Sequence, residues 1–268
     1  LIYVVTFNHK KFIEKTIKRI DKKVFDNFDT EILVNDDSST DSTLEILKRL
    51  KSELSGRVKF NILSNPQNLG YGGNQKIGYH YSIKNGFDYV ALLHGDGQYA
   101  PEILSDLLYP FKDKDFNAVF GTRMSKKFDA IKGGMPLYKF FGNKILTFLQ
   151  NKILRSKMSE FHSGYRIYKV SALRKIPFHL NSNDYTFDTE IIIQFLISSF
   201  KIKEIPIPTF YGEEISYVNG FYYAFRIIIE SLKAKNQTIG LFYDKKYDLI
   251  KNQNDQSLSQ ERNKSLDM

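Results

Sequence analysis

The sequence contains no cysteine and no tryptophan among its 268 residues, and it has no long apolar run. The absence of cysteine excludes disulfide bonds, thiolate zinc sites and a cysteine nucleophile, and it fits a reducing compartment. No apolar stretch approaches the roughly 18 residues that a transmembrane helix needs, and no segment resembles a signal peptide. The fold must therefore come from the packing of an ordinary apolar core.

Acidic side chains are also scarce relative to basic ones, with 30 Asp and Glu against 39 Lys and Arg and a net charge of +9. Such a balance favours an anionic partner, which could be nucleic acid, a phosphate-bearing ligand or an acidic membrane surface. A solvated, lysine-rich surface explains the same charge equally well. Because no nucleic-acid-binding motif appears, we do not expect nucleic acid as a partner.

The residues that are present suit an α/β protein, since the hydrophobic fraction is 42% and the aromatic fraction 15%. Apolar, β-branched runs alternate with segments of helical periodicity, and short polar turns separate them. This alternation predicts a doubly wound, mostly parallel sheet flanked by helices, in a single domain. In such sheets ligands bind beyond the carboxyl ends of the strands.

The chain divides by composition into three parts. We expect the α/β domain over residues 1–215, an amphipathic helical extension over 216–250, and a disordered polar tail over 251–268. Residues 219–235 of the extension mix large apolar side chains with Arg226, Lys233 and Lys235. Because the sequence starts at Leu1, directly in an apolar run, we also expect the natural start to have been trimmed.

The segment "LHGDGQ" (93–98) follows a predicted strand and places Asp96 and Gln98 two residues apart beside glycines. Both are oxygen donors of the kind that hard divalent cations take, and Mg²⁺ or Mn²⁺ normally completes its shell with phosphate oxygens and water. The competing interpretation is a simple Asx turn in which Asp96 bonds its own backbone.

Two further polar segments follow predicted strands. The pair Asp36 and Asp37 could accept hydrogen bonds from a nucleobase or ribose, whereas residues 39–41 are explained by capping of the next helix. The glycine-rich loop 68–74 could cradle a phosphate, but it lacks the Walker spacing. We therefore favour a tight packing turn for Gly72 and Gly73.

Four charged residues later in the chain are candidates for phosphate binding or proton transfer. Arg123 and Arg166 could each clamp phosphate oxygens, or be ordinary surface arginines. Asp188 and Glu190 lie at the head of a predicted helix, where they could suit its dipole, or one could act as a general base.

Taken in order, these segments resemble the family 2 glycosyltransferases of the GT-A fold, and among them the dolichyl- or polyprenyl-phosphate hexose synthase-like branch. The resemblance spans about residues 1–210, and each segment alone is weak, but together they occur in family order and spacing. The matching segments are "VVTFN", "ILVNDDSSTDST", "NLGYGGNQKIG", "LHGDGQYAPE", "GTRM", "EFHSGYRIY", "FDTEIIIQ" and "IKEIPIP".

The resemblance implies roles for individual residues. It implies a divalent metal, Mn²⁺ or Mg²⁺, bound with the donor diphosphate at Asp96 and Gln98, and Arg123 near the phosphates. It places Asp188 and Glu190 on the acceptor side with catalytic roles. The nucleotide-sugar site that it implies consists of Thr6, Asn8, Asp36, Asp37, Asn68, Gly70, His94, Gly95 and Arg166.

One position departs from the family pattern, because His94 replaces the first aspartate of the family's metal motif. A neutral imidazole can ligate Mn²⁺ but is a poor ligand for Mg²⁺. His94 could instead donate a hydrogen bond to a sugar hydroxyl or a phosphate, which we favour, or be an ordinary buried histidine.

The expected activity is an inverting transfer of a hexose from a nucleotide-diphosphate sugar, in cell-surface glycan assembly. A polyprenyl-phosphate acceptor is already ionised, since the second phosphate pKa is about 6, and needs cations but no base. A saccharide hydroxyl needs a carboxylate to take its proton. The basic segment 126–139 and the 219–235 helix suit a lipid phosphate, whereas Asp188 and Glu190 suit a hydroxyl, so both acceptors stay open.

We expect a cytoplasmic protein, peripheral on the inner face of the plasma membrane, and the sequence says nothing of its oligomeric state. Two other functions compete with the transferase. One is a nucleotidyltransferase that forms a sugar nucleotide, although "TFNHKK" stands where its phosphate signature should follow the first strand. The other is a non-catalytic nucleotide- or glycan-binding module, which the loss of the first aspartate makes conceivable.

Overall fold

A computed structural model describes residues 1–113, 115–125, 129–211 and 219–248 of the chain. Lys126 and Lys127 of the predicted basic segment lie outside the described residues. The predicted tail 251–268 also lies outside them, as does the predicted boundary at residue 216.

The described residues form one seven-stranded sheet with the strand order β3-β2-β1-β4-β6-β5-β7. All strands run in the same direction except β6, which is antiparallel to both of its neighbours. This confirms the predicted mostly parallel sheet. The strands are β1 (Ile2–Thr6), β2 (Glu31–Asp36), β3 (Lys59–Ser64), β4 (Tyr89–His94), β5 (Ala118–Thr122), β6 (Arg166–Lys169) and β7 (Ile202–Pro206).

Helices cover both faces of the sheet, as its buried residues show. Tyr3 and Val4 of β1 point to opposite faces and belong to two separate apolar clusters. A strand buried on both faces reads as a continuous apolar run, which is what "LIYVV" is. The helices are α1 (Ile13–Lys18), α2 (Lys22–Asn27), α3 (Thr43–Glu53), α4 (Tyr71–Lys84), α5 (Leu104–Leu108), α6 (Asp129–Lys132), α7 (Leu137–Leu154), α8 (Val170–Leu173), α9 (Phe187–Ile197) and α10 (Gly220–Thr238).

The predicted C-terminal helix is α10, and it packs against α7 and α9. Ala234 of α10 shares a small apolar cluster with Ile193 of α9 and with Tyr247, which follows α10. The assignment of residues 216–250 to a separate extension stays a prediction. No helix among the described residues is both long and apolar enough to span a bilayer.

The position of α4 on the sheet depends on a glycine. A Cβ atom added to Gly78 would lie 2.3 Å from the ring of Tyr3 on β1, so the helix can approach the strand this closely only without a side chain there. The Tyr3 hydroxyl donates to the carbonyl oxygen of Asn74, one turn earlier in α4, at 2.7 Å. These two contacts fix the register of α4, which begins at the carboxyl edge of the sheet.

Gly78→Ala and Gly142→Ala form a matched pair, because both glycines lie inside long helices but only Gly78 faces a neighbour within 4 Å. We expect Gly78→Ala to lower the free energy of unfolding by about 1–3 kcal/mol through overpacking. Gly142→Ala should raise it by about 0.5–1 kcal/mol through helix propensity. Urea denaturation followed by circular dichroism measures both, and equal effects of the two substitutions would contradict the close approach of α4 to β1.

Candidate active site

The carboxyl edge of the sheet brings together residues that are far apart in the sequence. Thr6 and Asp36 end β1 and β2 and are directly paired, and His94 ends β4 beside Val5. Because β6 is antiparallel, its first residue, Arg166, lies at this edge as well. The predicted gathering of polar residues at strand ends is therefore present in the fold.

A cavity of about 530 Å³ opens at this edge beside the turn that follows β4. Asp96 and Gln98, the two predicted metal ligands, both line it. Two basic residues, Lys15 of α1 and Arg19 directly after it, also line the cavity. They are four positions apart and therefore lie on the same side of the helix. The remaining lining residues are Phe12, Thr16, Gly97, Gly133, Phe210 and Tyr211.

The Asp96 turn combines both interpretations of its sequence. The Oδ1 atom accepts a hydrogen bond from the backbone N–H of Gln98 at 3.0 Å, which is an Asx turn, and Gly97 has a positive φ of 71°. Gly95 has room for no side chain, because a Cβ atom would lie 2.8 Å from Thr6 Oγ1. The turn thus presents the Asp96 carboxylate to the cavity.

The donor set fits a metal ion that arrives with its substrate. No three His, Cys, Asp or Glu side chains gather as a metal cage within the described part of the chain. Asp96 and Gln98 nevertheless supply oxygen atoms to one cavity. Mg²⁺ and Mn²⁺ commonly use one or two protein carboxylates and take their other ligands from phosphates and water, so these residues suit such an ion.

Asp36 and Asp37 are both buried, and their carboxylates organise two loops of this edge. Asp36 accepts hydrogen bonds from the backbone N–H and the hydroxyl of Ser39, at 3.1 and 2.5 Å. Asp37 accepts from the backbone N–H groups of Leu69 and Gly70, at 2.9 and 3.1 Å. The pair therefore shapes the walls of the edge, and contact of either residue with a nucleotide stays a prediction.

Asn8 joins the loop after β1 to the loop after β2. Its φ is 57°, in the left-handed region that asparagine tolerates better than most residues. Its side-chain oxygen accepts from the backbone N–H of Thr40 at 2.8 Å, and its own N–H donates to Ser39 Oγ at 2.8 Å. The polar side chain thus stabilises the two loops against each other.

The glycine-rich loop is a packing turn, as we favoured for Gly72 and Gly73. Their backbone N–H groups donate to the carbonyl oxygen of Asn183, at 2.7 and 3.2 Å, so a protein group already occupies this end of α4. A Cβ atom on Gly72 would lie 2.4 Å from the Ser182 carbonyl oxygen. Within the same loop, Asn68 Oδ1 accepts from the N–H of Gly70 at 2.9 Å.

A chain of hydrogen bonds connects His94 to a buried ion pair. His94 Nε2 lies 3.1 Å from the hydroxyl of Tyr71, and this hydroxyl donates to Asp188 Oδ2 at 3.0 Å. The other oxygen, Asp188 Oδ1, accepts from Gln75 Nε2 at 3.1 Å and lies 3.2 Å from Arg166 Nη1. One hydrogen-bond network thus joins the N-terminus of α9, the N-terminus of α4 and the end of β4.

The surroundings of His94 hold its ring in place. The ring packs edge-on against Tyr99, with the ring centres 5.0 Å apart, and a Cβ atom on Gly164 would lie 2.6 Å from His94 Cε1. Burial lowers the pKa of His94 below its ordinary value, and Asp96 offsets only part of this shift. The imidazole is therefore neutral near pH 7.

Arg166 is fully buried and gives its hydrogen bonds to the protein. Its Nε donates to the Ser163 carbonyl at 2.8 Å, and its Nη2 to the Phe161 carbonyl at 3.0 Å. With the Asp188 ion pair, these contacts hold the segment "FHSGYR" against α9. The guanidinium donors thus face protein acceptors, and contact of Arg166 with a ligand stays a prediction.

Arg123 pairs with a glutamate that the sequence analysis did not single out. Its guanidinium contacts buried Glu160, with Nε to Oε1 at 3.0 Å, and its backbone N–H donates to Oε2 at 2.7 Å. Arg123 Nη1 also donates to the hydroxyl of Tyr211, a residue of the cavity wall, at 3.0 Å. Arg123 therefore lies behind the cavity wall, and its predicted contact with phosphates is untested.

Glu190 belongs to a different hydrogen-bond network from Asp188, although the two residues are only two positions apart in the sequence. Helix residues two apart do not share a side. The Glu190 carboxylate is buried and pairs with Lys246 Nζ at 2.6 Å, and Lys246 also pairs with Glu230 of α10 at 2.8 Å. Glu190 thus anchors the segment after α10, and a catalytic role for it stays a prediction.

The structure adds site residues that the sequence analysis missed, chiefly His9, Lys15, Tyr71 and Gln75. His9 Nδ1 lies 3.2 Å from Thr6 Oγ1, and burial lowers the pKa of His9 while nearby Asp96 raises it. Tyr71 and Gln75 lie in "NLGYGGNQKIG", a segment of the family resemblance, whereas His9 directly follows "VVTFN" and Lys15 lies in none of the matching segments. The spacing of Tyr71 and Gln75, one helical turn apart at the start of α4, was a usable signal.

Comparisons with known proteins agree on one family. The family model of glycosyl transferase family 2 matches residues 1–177. An uncharacterized protein of Methanocaldococcus jannaschii is 28% identical over 236 residues, covering 86% of this chain and 91% of that protein. The UDP-N-acetylglucosamine–dolichyl-phosphate N-acetylglucosaminyltransferase of Methanococcus voltae is 28% identical over 226 residues, covering 80% of this chain and 87% of that enzyme.

Solved structures agree on the fold. Glucosyl-3-phosphoglycerate synthase of Mycobacterium tuberculosis, in complex with Mg²⁺ and UDP, has a TM-score of 0.62 at 16% identity, covering 91% of this chain and 80% of that one. TarS 1–349 of S. aureus, in complex with UDP, has a TM-score of 0.53 at 18% identity, covering 90% and 69%. The match of the family model over more than half of the chain, on a GT-A fold, shows that the protein belongs to glycosyl transferase family 2 and is a glycosyltransferase.

Proposed function

We propose that the protein transfers a sugar from a UDP-sugar, in the first place UDP-N-acetylglucosamine, to a polyprenyl phosphate in cell-surface glycan assembly. The observation that carries the proposal is the cavity in which Asp96 and Gln98 face Lys15 and Arg19. Carboxylate and amide oxygens suit a divalent cation, and the two basic residues suit a diphosphate. The reaction would take place at the cytoplasmic face of a membrane, with the protein bound peripherally.

The choice of uridine rests on other proteins. The Methanococcus voltae relative is named for UDP-N-acetylglucosamine, and both structural neighbours contain UDP. In this chain the base and ribose would lie against the edge formed by β1 and β2. The residues assigned to that part of the site are Thr6, Asn8, Asp36 and Asp37, with Asn68, Gly70 and Gly95 shaping its loops.

Asp96 and Gln98 would hold Mn²⁺ or Mg²⁺ together with the donor diphosphate. When bound, such an ion neutralises the charge that develops on the departing diphosphate. Lys15 would add a second positive charge, because it lines the same cavity as Asp96 and Gln98. Arg19 is held by Glu102, with Nη2 to Oε2 at 3.0 Å, and would orient the phosphates from the cavity wall.

The hydrogen-bond chain determines what His94 offers to a ligand. The Tyr71 hydroxyl has one hydrogen and donates it to Asp188 Oδ2, so its oxygen accepts from His94 Nε2–H. The neutral ring then carries its proton on Nε2 and a lone pair on Nδ1. This favours ligation of a metal or acceptance of a hydrogen bond from a sugar hydroxyl. It disfavours the donation from His94 to a sugar hydroxyl or a phosphate that the sequence analysis preferred.

The acceptor class follows from the two carboxylates that were candidates for a general base. Asp188 is engaged by Arg166, Gln75 and Tyr71, and Glu190 by Lys246 and Ser182. Both oxygens of each carboxylate already accept hydrogen bonds from protein donors, so neither residue is free to take a proton from an acceptor hydroxyl. A phosphate acceptor needs no base, since it is already ionised near neutral pH. The geometry thus supports a polyprenyl phosphate over a saccharide hydroxyl.

Asp96→Ala should abolish donor binding and turnover. In a thermal-shift screen of UDP-, GDP-, CDP- and dTDP-sugars, we expect UDP-N-acetylglucosamine with Mn²⁺ to raise the melting temperature of the wild type, because a ligand of the native state stabilises it. The shift should vanish in Asp96→Ala. Asp106→Ala, at an exposed position on α5, is the control and should keep the shift in melting temperature.

A full shift in Asp96→Ala would refute the metal assignment, and no shift with any donor would favour a binding module of another ligand class.

Tyr71→Phe should release the His94 ring. In the wild type, two-bond ¹H–¹⁵N NMR spectra of the imidazoles should show His94 protonated at Nε2, and in Tyr71→Phe a mixture of both tautomers. The loss of two buried hydrogen bonds should also lower the free energy of unfolding by about 1–3 kcal/mol. Tyr99→Phe is the matched control, because Tyr99 packs on the same ring but its hydroxyl bonds the N–H of Gly164. If the tautomer of His94 is unchanged in Tyr71→Phe, the proposed hydrogen bonds from His94 through Tyr71 to Asp188 are wrong.

A further inference from the structure

We propose that the exposed apolar sides of α7 and α10, here called the α7/α10 face, bind the surface of an anionic lipid bilayer. The inference deepens the proposed function and rests on it for the location of the acceptor lipid. It assigns the membrane contact to two adjacent helices, of which only α10 was expected from the sequence to have this role.

Helix α7 carries its apolar residues on the outside. Its buried residues are Phe140, Thr147 and Gln150, so two of the three side chains turned to the protein are polar. The exposed fractions of Tyr138 and Phe148 are 74% and 65%. At 3.6 residues per turn, the exposed apolar residues fall on one side of the helix. They are Leu137, Tyr138, Phe141, Ile145, Phe148 and Leu149.

Helix α10 repeats the arrangement and packs against α7. Its buried residues are Ile227, Glu230, Ser231 and Ala234. Phe221 and Phe225 are 94% and 64% exposed and lie one turn apart. Soluble monomers rarely expose contiguous apolar patches larger than a few hundred Å². The further exposed apolar residues of α10 and of the segment after it are Tyr222, Leu232, Ile239, Leu241, Phe242 and Tyr243.

The charges on the two helices select an anionic bilayer as the occupant. Helix α7 contains no Asp or Glu, and the single acidic residue of α10, Glu230, is buried and paired with Lys233 and Lys246. Exposed Lys144 and Lys152 accompany the apolar side of α7. Aromatic and basic residues together are typical of helices that lie in a membrane interface. A second copy would instead bring two basic faces together, which is unfavourable.

Both helices also contact segments that border the candidate active site. Asn143 of α7 donates to Glu160 at 2.8 Å, and Glu160 pairs with Arg123 behind the cavity wall. Tyr223 of α10 lies 3.0 Å from His162 Nδ1, in the segment that Arg166 holds. A bilayer on the α7/α10 face would therefore lie against helices that contact the segments around Glu160 and His162, and the phosphate of a membrane lipid would reach the cavity from that flank.

Flotation of the full chain with vesicles tests the proposal without donor or turnover. We expect binding to equimolar phosphatidylglycerol and phosphatidylcholine vesicles and weaker binding to phosphatidylcholine alone. The α7 variant Tyr138→Ser/Phe148→Ser and the α10 variant Phe221→Ser/Phe225→Ser should each weaken binding, by about tenfold for each aromatic residue that inserts. Tyr109→Ser is the matched control, because Tyr109 is 65% exposed but lies on neither helix, and its binding should equal that of the wild type.

Several outcomes would overturn the proposal. The proposal is wrong if the wild type does not float with the vesicles. It is also wrong if the variants of both helices float like the wild type, because the α7/α10 face would then not contact the membrane. Dimers in light scattering that dissociate on the same substitutions, without vesicle binding, would assign the face to a second copy of the chain. The thermal shift with UDP-sugar and Mn²⁺ should persist in all these variants, so failure of the surface and failure of the proposed activity are distinguishable.

Discussion

The buried ion pair between Arg166 and Asp188 is the interaction on which the site depends. A charge in the protein interior is unfavourable unless it is paired and hydrogen-bonded, and this pair satisfies that condition through contacts to α4 and to the segment before β6. Removal of either partner would leave the other charge buried and unpaired. The pair therefore fixes β6 against α9, and through Tyr71 it also fixes the orientation of His94 at the end of β4.

A second buried pair, Arg123 and Glu160, stands behind the other wall of the cavity. Together the two pairs engage both of the buried arginines near the site, Arg123 and Arg166, with carboxylates of the protein. The turn after β4 presents Asp96 and Gln98 to the cavity, and the α1 region presents Lys15 and Arg19. In the proposed reaction these residues would position charges around a diphosphate, and an acceptor that is already ionised would need no base.

The inward contacts of α7 and α10 link the candidate active site to the α7/α10 face. Polar residues of α7 and α10 that would ordinarily face water are turned inward, where Asn143 and Tyr223 hold the segments around Glu160 and His162. Their apolar residues are turned outward as a result. One set of contacts thus supports the cavity wall and leaves a surface suited to lipid beside it.

The sequence by itself determined the sheet and the edge at which ligands bind. A continuous apolar run such as "LIYVV" predicts a strand buried on both faces, and residues after successive parallel strands must meet at one edge, so the pattern alone places Asp36 and His94 there. Only the tertiary structure decided which side chains bond to each other. Asp188 and Glu190 are neighbours in the sequence but join different networks, and Tyr71 reaches His94 across 23 positions. Periodicity likewise shows that a helix has an apolar side, as in α7, but the direction of that side depends on what the helix packs against, which local sequence does not specify.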